Sequence, residues 1–434
     1  MGIYDGKKLL FLGTTVASVS MVRYARSEGA CVIVTDNLPP HLSAAKLEAD
    51  QIADVSTRDI DGLCRLAQEE RVDGICCGVS EGNLLATRAV CDRLKLPCYF
   101  TREQWDICQD KERFRNLCVR YGVPAPHRYD IALQGSGDKI PMEDICFPVI
   151  VKPADGFAAV GISICRTEEE LPQAVELARQ ASKSSRVVVE EYVTGTEITS
   201  VYTIKSGEIS LSLLRDRYPS MDHDGVTAQF DASIGPSRFY ERYSLTVDPA
   251  IKKMLSGIGA YAGTVFFQGI ANENGIYIFE CGYRMNALCD YYNLDAANGI
   301  NYMHMMVNYA LTGEMGEAEL SRDNPNPNQF CCVFNMTAHA GTIAELQGLE
   351  NCQKIPGVLY AEFLLPEGHE IVENNSMAQS VFRAYINAPD LVTLKEIIAS
   401  VQKEIRVRDD DGKSLLFLPF DTNRIVDSLS EIKR

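Results

Sequence analysis

The 434-residue sequence is 46% hydrophobic and 23% charged, a globular composition long enough for about three domains at roughly 150 residues each. No stretch approaches the roughly 20 apolar residues of a bilayer crossing. The opening MGIYDGKKLLFLG lacks the basic segment, apolar run and cleavage site of a secretory signal, so a cytoplasmic location with no membrane partner is expected. A net charge of −17 without a basic stripe argues against nucleic acid as a partner.

Residues 7–13 read as a buried strand, and 14–28 as a helix carrying Val16, Val19, Val22 and Ala25 at helical spacing before Gly29. CVIVTD, VDGICCGV, a helix over 81–95 and a strand LPCYF continue the alternation, which predicts a small doubly wound parallel sheet with ligand loops at its strand C-termini. A dinucleotide site is rejected although Asp36 ends the second strand: the first turn, LGTTVAS, holds one glycine where that fingerprint needs three. From 101, EQWDICQDKERFRNLCVRYG reads as one polar helix ending at Gly122 before VPAP. A strand-rich section follows to about 275, with turn signals Asp155-Gly156, Ser206-Gly207 and Asn274-Gly275. Beyond it, FCCVFNM, GVLYAEFLL and SVFRAYI read as strands before a helix over 390–406. Fifteen cysteines, mostly in apolar runs and without zinc spacing, read as reduced core residues rather than metal ligands or disulfides.

Three segments carry chemistry. In FPVIVKPADGFAAVGISIC a buried strand delivers Lys152 to a loop of Gly156, Ala158 and Ala159, small residues whose N–H groups can close over phosphates while the lysine neutralises their charge. A lysine before an ordinary hairpin loop is the bland alternative. In RVVVEEYVTGTEITSVY, Glu190, Glu191 and Val193 sit where a strand edge can offer backbone groups to a purine, and Glu197 can accept both ribose hydroxyls; solvated glutamates at a strand end are the commoner case. The third segment is the hairpin GTVFFQGIANENGIYIFECGYRMN. A two-residue turn would put Gln268 and Glu280 on opposite faces, whereas a three-residue turn with Gly275 left-handed sets them across from each other, with Glu280, Gly282 and Arg284 on one face. Oxygen ligands of this kind suit Mg²⁺ on ATP phosphates, and an arginine suits a transferring phosphoryl group.

The order of these segments, with Lys111 ahead of them, resembles the ATP-grasp superfamily: a lysine, a strand lysine with a small-residue loop, Glu-Glu-x-Val-x-Gly-x-Glu, then an E-x-x-x-R strand. The superfamily includes biotin carboxylase, carbamoyl phosphate synthetase, D-alanine ligases and L-amino acid ligases. The resemblance extends over nearly the whole chain, since AGTIAELQGLE and EGHEI are similar to the C-terminal part of the amino-acid ligases. It implies a mixed α/β and α+β architecture: a Rossmann-like N-terminal domain (1–104), a two-part ATP-grasp domain (105–320, lid about 124–188) and an α+β C-terminal domain (321–434).

What the resemblance implies for function is a ligase that activates a carboxylate as an acyl phosphate with ATP and joins it to an amine or other nucleophile. Lys111 and Lys152 would contact the nucleotide phosphates, Glu190 with the backbone of Glu191 and Val193 the adenine, and Glu197 the ribose. Glu280 and Gln268 would hold Mg²⁺, or Mn²⁺ in its place, and Arg284 and Lys152 would act catalytically. Two departures stand out: most active relatives carry an acidic residue at the place of Gln268 and an asparagine at that of Gly282, both as metal ligands. The loop LLRDRYPSMDHDGV offers Arg215, Arg217 and His223 as candidates for the substrate carboxylate. VSEGN, at a strand C-terminus, is a second candidate. Small-molecule acid and amine substrates and a homodimer are the expected partners. The rivals are a nucleotide-binding ATP-grasp protein without ligase activity and a biotin carboxylase-type enzyme.

Overall fold

The structure, a computed structural model, describes residues 2–129, 144–155, 160–220 and 229–425. The chain opens with β1 (Lys8–Leu12), α1 (Ser18–Ser27), β2 (Cys31–Thr35), α2 (Ala44–Leu47), β3 (Gln51–Ala53), α3 (Ile60–Glu70), β4 (Gly74–Cys77) and α4 (Glu81–Leu94). The strands form a parallel sheet in the order β3-β2-β1-β4. Leu9 to Leu12 are fully buried, as a strand covered on both faces requires. Asp36 meets Ser43 and Lys46 within the same domain.

Two expectations fail in this region. LPCYF is not a strand; its aromatic residues pack instead, Phe100 against Trp105 and Tyr99 against Tyr283, so an apolar run that suited a strand is buried as irregular chain. The helix from 101 is two helices, α5 (Arg102–Gln109) and α6 (Lys111–Tyr121). Asp110 leaves helical geometry, accepts the Arg113 N–H and caps α6, a role short acids fill better than helix interior. α6 ends at Gly122 with φ 72°, in the left-handed conformation its sequence suggests.

The segment expected to form the lid follows: β5 (Arg128–Tyr129), β6 (Val149–Pro153), β7 (Ser163–Cys165), α7 (Leu171–Ala181) and β8 (Val187–Glu191). Its antiparallel order is β5-β8-β6-β7, and α7 closes a small core of Val149, Val151, Leu171, Val175 and Val189.

Next come β9 (Thr196–Lys205), β10 (Glu208–Pro219), β11 (Phe230–Gly235), α8 (Tyr240–Thr246), α9 (Asp248–Gly257), β12 (Gly263–Ala271) and β13 (Ile276–Gly282). They lead to α10 (Tyr291–Asn298), α11 (Tyr302–Thr312), β14 (Phe330–Thr337), β15 (Gly341–Thr342), β16 (Glu345–Gln347), α12 (Leu349–Cys352), β17 (Val358–Phe363), β18 (Glu370–Ile371), β19 (Ser380–Ala388), α13 (Leu391–Glu404) and β20 (Arg406–Arg408). A single antiparallel sheet runs β13-β12-β9-β10-β11-β14-β19-β17, so strands beyond residue 320 extend the same sheet that carries the β12–β13 hairpin. AGTI and GHEI meet where β15 pairs with β18.

The two hairpin turns behave differently. Ser206 and Gly207 join β9 to β10 with φ 52° and 81°, the all-positive geometry of a two-residue hairpin turn. The β12–β13 loop has neither expected length: Ala271 pairs with Ile276, Asn272 accepts the N–H groups of Asn274 and Gly275, and Gly275 is not left-handed. Even so, Gln268 pairs with Glu280, because a bulge skips Phe279 and shifts the register by one. The fifteen cysteines are free thiols, mostly buried. No helix among the described residues is long and apolar enough to cross a membrane.

Candidate functional site

Between the lid and the large sheet lies a cavity of ≈ 610 Å³. The lid wall presents Ile150, Lys152, Ile162 and the β8 end with Glu190, Glu191 and Val193; the floor presents Glu197, Thr199, Phe266, Gln268 and Ile270, with Glu280 and Arg284 beside them. Lys111, at the start of α6, reaches the same space, its N–H fixed to the Ala154 carbonyl at 3.0 Å where β6 ends. The break at Asp110 thus starts α6 at the point where Lys111 meets the end of β6.

The electrostatics are organised around paired charges. Lys152 Nζ lies 2.5 Å from Glu190 Oε2 and Arg115 Nε 2.9 Å from Glu190 Oε1, ionic contacts lying off the hydrogen-bond direction. Glu190 is thus fixed beneath Lys152, and its carboxylate orients that lysine. Glu197 faces Arg217 across the β9–β10 ladder at 3.0 Å, and Arg217 lies over the Phe230 ring. Burial pushes the Lys111 ammonium below the ordinary lysine range, while the nearby Glu280 carboxylate pulls the other way. Arg284 donates to the Met285 carbonyl at 3.0 Å, approaches Glu81 at 3.3 Å and lies over Phe266.

Most of the residues singled out in the sequence meet here: Lys111, Lys152, Glu190, Glu191, Val193, Glu197, Arg217, Gln268, Glu280 and Arg284 all line the cavity. Arg215 does not. It is fully buried, 3.2 Å from the equally buried Asp290, and donates to the Ser233 carbonyl and the Asn293 amide oxygen. Its spacing matches that of Arg217, but α10 covers it, so it holds the fold together instead of reading substrate. Replacing it strands the Asp290 charge: Arg215→Ala is expected to lower stability by about 3–5 kcal/mol in urea unfolding, and Arg215→Met with Asp290→Leu to recover most of that. A loss under about 1 kcal/mol for the single variant would contradict this role. His223 and the loop residues Gly156, Ala158 and Ala159 lie outside the described residues.

Two residues of the site escaped the sequence reading. Thr199 follows Glu197 on the same face of β9, and Phe266 precedes Gln268 on the same face of β12, a period-two signal that was available. Glu81 is different: within VSEGN, Ser80 caps α4, and Glu81 reaches Arg284 from 203 positions away, which only the fold reveals.

Residues 134–223 match the family described as the D-ala D-ala ligase C-terminus. The carbamoyl phosphate synthase large chain of Clostridium beijerinckii is 23% identical over 308 residues, 69% of this chain and 28% of that protein, so the chain spans under a third of the length of that curated relative. Among solved structures, the L-amino acid ligase from Bacillus licheniformis superposes with a TM-score of 0.75 at 16% identity, covering 94% of this chain and 99% of that one. The biotin carboxylase domain of Hydrogenobacter thermophilus 2-oxoglutarate carboxylase, solved with MgADP and bicarbonate, gives a TM-score of 0.75 at 18% identity, covering 92% and 90%. Sheet arrangement and these similarities agree: the chain has the ATP-grasp fold.

Proposed function

We propose that this protein is an ADP-forming carboxylate–amine ligase that uses ATP with Mg²⁺, or Mn²⁺ in its place. The observation that carries this reading is convergence: Lys111, Lys152, Gln268 and Glu280, from four elements, and Arg284, just past the last of them, line one cavity under a lid. A carboxylate acylates poorly because its oxygen leaves badly, and moving the γ-phosphoryl group of ATP onto it creates a good leaving group for an attacking amine. Lys111 and Lys152 would neutralise the phosphates, with Glu190 aiming Lys152. Glu191 and Val193 would offer backbone groups to the adenine, Glu197 would take the ribose, and Arg217 would compete for Glu197 or reach toward the acid. Arg284 would meet the charge on the transferring phosphoryl group. The Glu280 carboxylate and Gln268 amide oxygen fit a hard cation, which when bound supplies charge neutralisation to the phosphate oxygens. The lid would exclude the water that otherwise hydrolyses an acyl phosphate.

The three-domain division at residues 104 and 320, small-molecule acid and amine partners, and assembly as a homodimer belong to this proposal. A second reading, nucleotide binding without ligation, draws on one observation: Gly282 offers no side chain to a metal. Trapping separates the two. With ATP, Mg²⁺ and the correct acid, hydroxylamine is expected to yield a hydroxamate with release of ADP. ADP-forming turnover with a confirmed acid and no hydroxamate would exclude the acyl phosphate.

A further inference from the structure

We propose that this site works with a single divalent cation, held by Glu280 with Gln268 and Thr199 as neutral oxygen donors, and that the stacked Phe266 and Arg284 side chains take the place and the charge role of a second ion. This rests on the nucleotide reading above and goes beyond it.

Two rows of side chains cross the cavity floor. In the first, Thr199 on β9 stands opposite Gln268 on β12, and Gln268 opposite Glu280 on β13. Thr199 is 3% exposed and lines the cavity, and its hydroxyl has no hydrogen-bond partner among the described residues. A buried hydroxyl without a partner is costly, and a cation or its water on the cavity side would satisfy it. In the second row, Val201 stands opposite Phe266 and Phe266 opposite Gly282. A Cβ on Gly282 would come within 2.4 Å of Phe266 Cε1 and 2.6 Å of its Cζ, so the ring fills the volume into which a ligating side chain at 282 would project. The Arg284 guanidinium sits 4.9 Å from the centroid of that ring, on the cation-attracting face of the aromatic system.

The charges point the same way. Two cations at the about 3.5–4 Å separation of two-metal phosphoryl-transfer sites need carboxylates to hold both. Glu190 is engaged by Arg115 and Lys152, and Glu197 by Arg217. Glu191 ends β8 exposed. Among the described residues no group of three or more His, Cys, Asp and Glu could hold a metal ion. Glu81 is engaged by Arg284. Among the described residues that line the cavity, Glu280 is therefore the carboxylate that remains for the phosphate end, enough for one ion. A fixed guanidinium supplies positive charge there without calling for anionic ligands beyond the Glu81 it already meets, and its planar fork suits phosphate oxygens.

The test uses the full chain with Mn²⁺ and a β,γ-imido analogue of ATP, reading stoichiometry by equilibrium dialysis and the electron paramagnetic resonance line shape. One Mn²⁺ per chain with an isolated-ion spectrum is expected. Two spin-coupled Mn²⁺ per chain would overturn the proposal while leaving the nucleotide reading intact; failure of the analogue to bind would overturn both. The Phe266→Ala, Gln268→Glu, Gly282→Asn triple variant, which restores both the space and a second carboxylate, is expected to raise the stoichiometry from one to two, whereas Gln268→Glu, Gly282→Asn with the ring kept is expected to stay at one; a folded triple variant that still takes one ion would refute exclusion by the ring. Thr199→Val, which strips no partner from the protein, is expected to weaken Mn²⁺ binding about fivefold, the scale of one neutral hydrogen bond. Unchanged affinity would remove Thr199 from the donor set.

Discussion

Glu280→Ala is expected to reduce ATP turnover by about a hundred- to a thousandfold, the scale on which one pre-placed electrostatic group acts at a transfer centre. The reason is local. Glu280 is the carboxylate assigned to the cation; its cross-strand partner Gln268 contributes a dipole, and Gly282 beyond them is covered by Phe266. The bulge at Phe279 makes this arrangement possible by turning Glu280 to face Gln268. Gln268→Glu should act in the opposite direction, lowering the Mg²⁺ concentration for half-maximal rate because a charge replaces a dipole. ADP release followed against Mg²⁺ concentration checks both. Full magnesium-dependent turnover in Glu280→Ala would remove the cation assignment and favour the non-ligating reading.

Lys152→Met is expected to weaken ATP binding about ten- to a hundredfold, matching the about 1.5–3 kcal/mol of a charge-assisted hydrogen bond. A lysine that served the nucleotide alone would leave the stability of the free protein unchanged on removal. The structure changes that expectation, since Lys152 is 5% exposed and neutralises part of the Glu190 charge. Some thermal destabilisation should therefore accompany the loss of affinity, buffered by Arg115 on the other carboxylate oxygen. Calorimetric titration with ATP beside a melting curve of the free protein measures the two effects separately. An unchanged ATP affinity would take Lys152 out of the phosphate site.

Much of the site was legible because its residues follow strand periodicity. Glu197 on β9 and Gln268 on β12 lie on one face of neighbouring strands, so reading alternate positions finds the floor. The apolar runs of β1, β2 and β4 likewise announced a sheet buried on both sides. Periodicity failed where tertiary packing decided the outcome. Arg215 and Arg217 are indistinguishable by spacing, yet Asp290, just ahead of α10, pairs with the buried first, while the second stays on the cavity wall. LPCYF had the composition of a strand, but Tyr283 and Trp105 gave its rings a place to pack without a ladder. The β12–β13 turn was misjudged because Asn272 closes a longer loop and a bulge compensates, two deviations that cancel at Gln268 and Glu280. VSEGN was singled out at its strand end, but the pairing of its Glu81 with Arg284 was beyond reach, since only the fold joins positions 203 apart.

Ligation itself is tested most directly by ADP and phosphate release, measured with Mg²⁺ and ATP while carboxylates and amines, amino acids first, are supplied singly and in pairs. The account predicts that at least one acid and amine pair raises ADP release well above the rate with ATP alone, with one condensation product formed per ADP and none without Mg²⁺. Tight ATP binding with no pair accelerating ADP release would contradict the ligase and leave a nucleotide-binding protein built on the same fold.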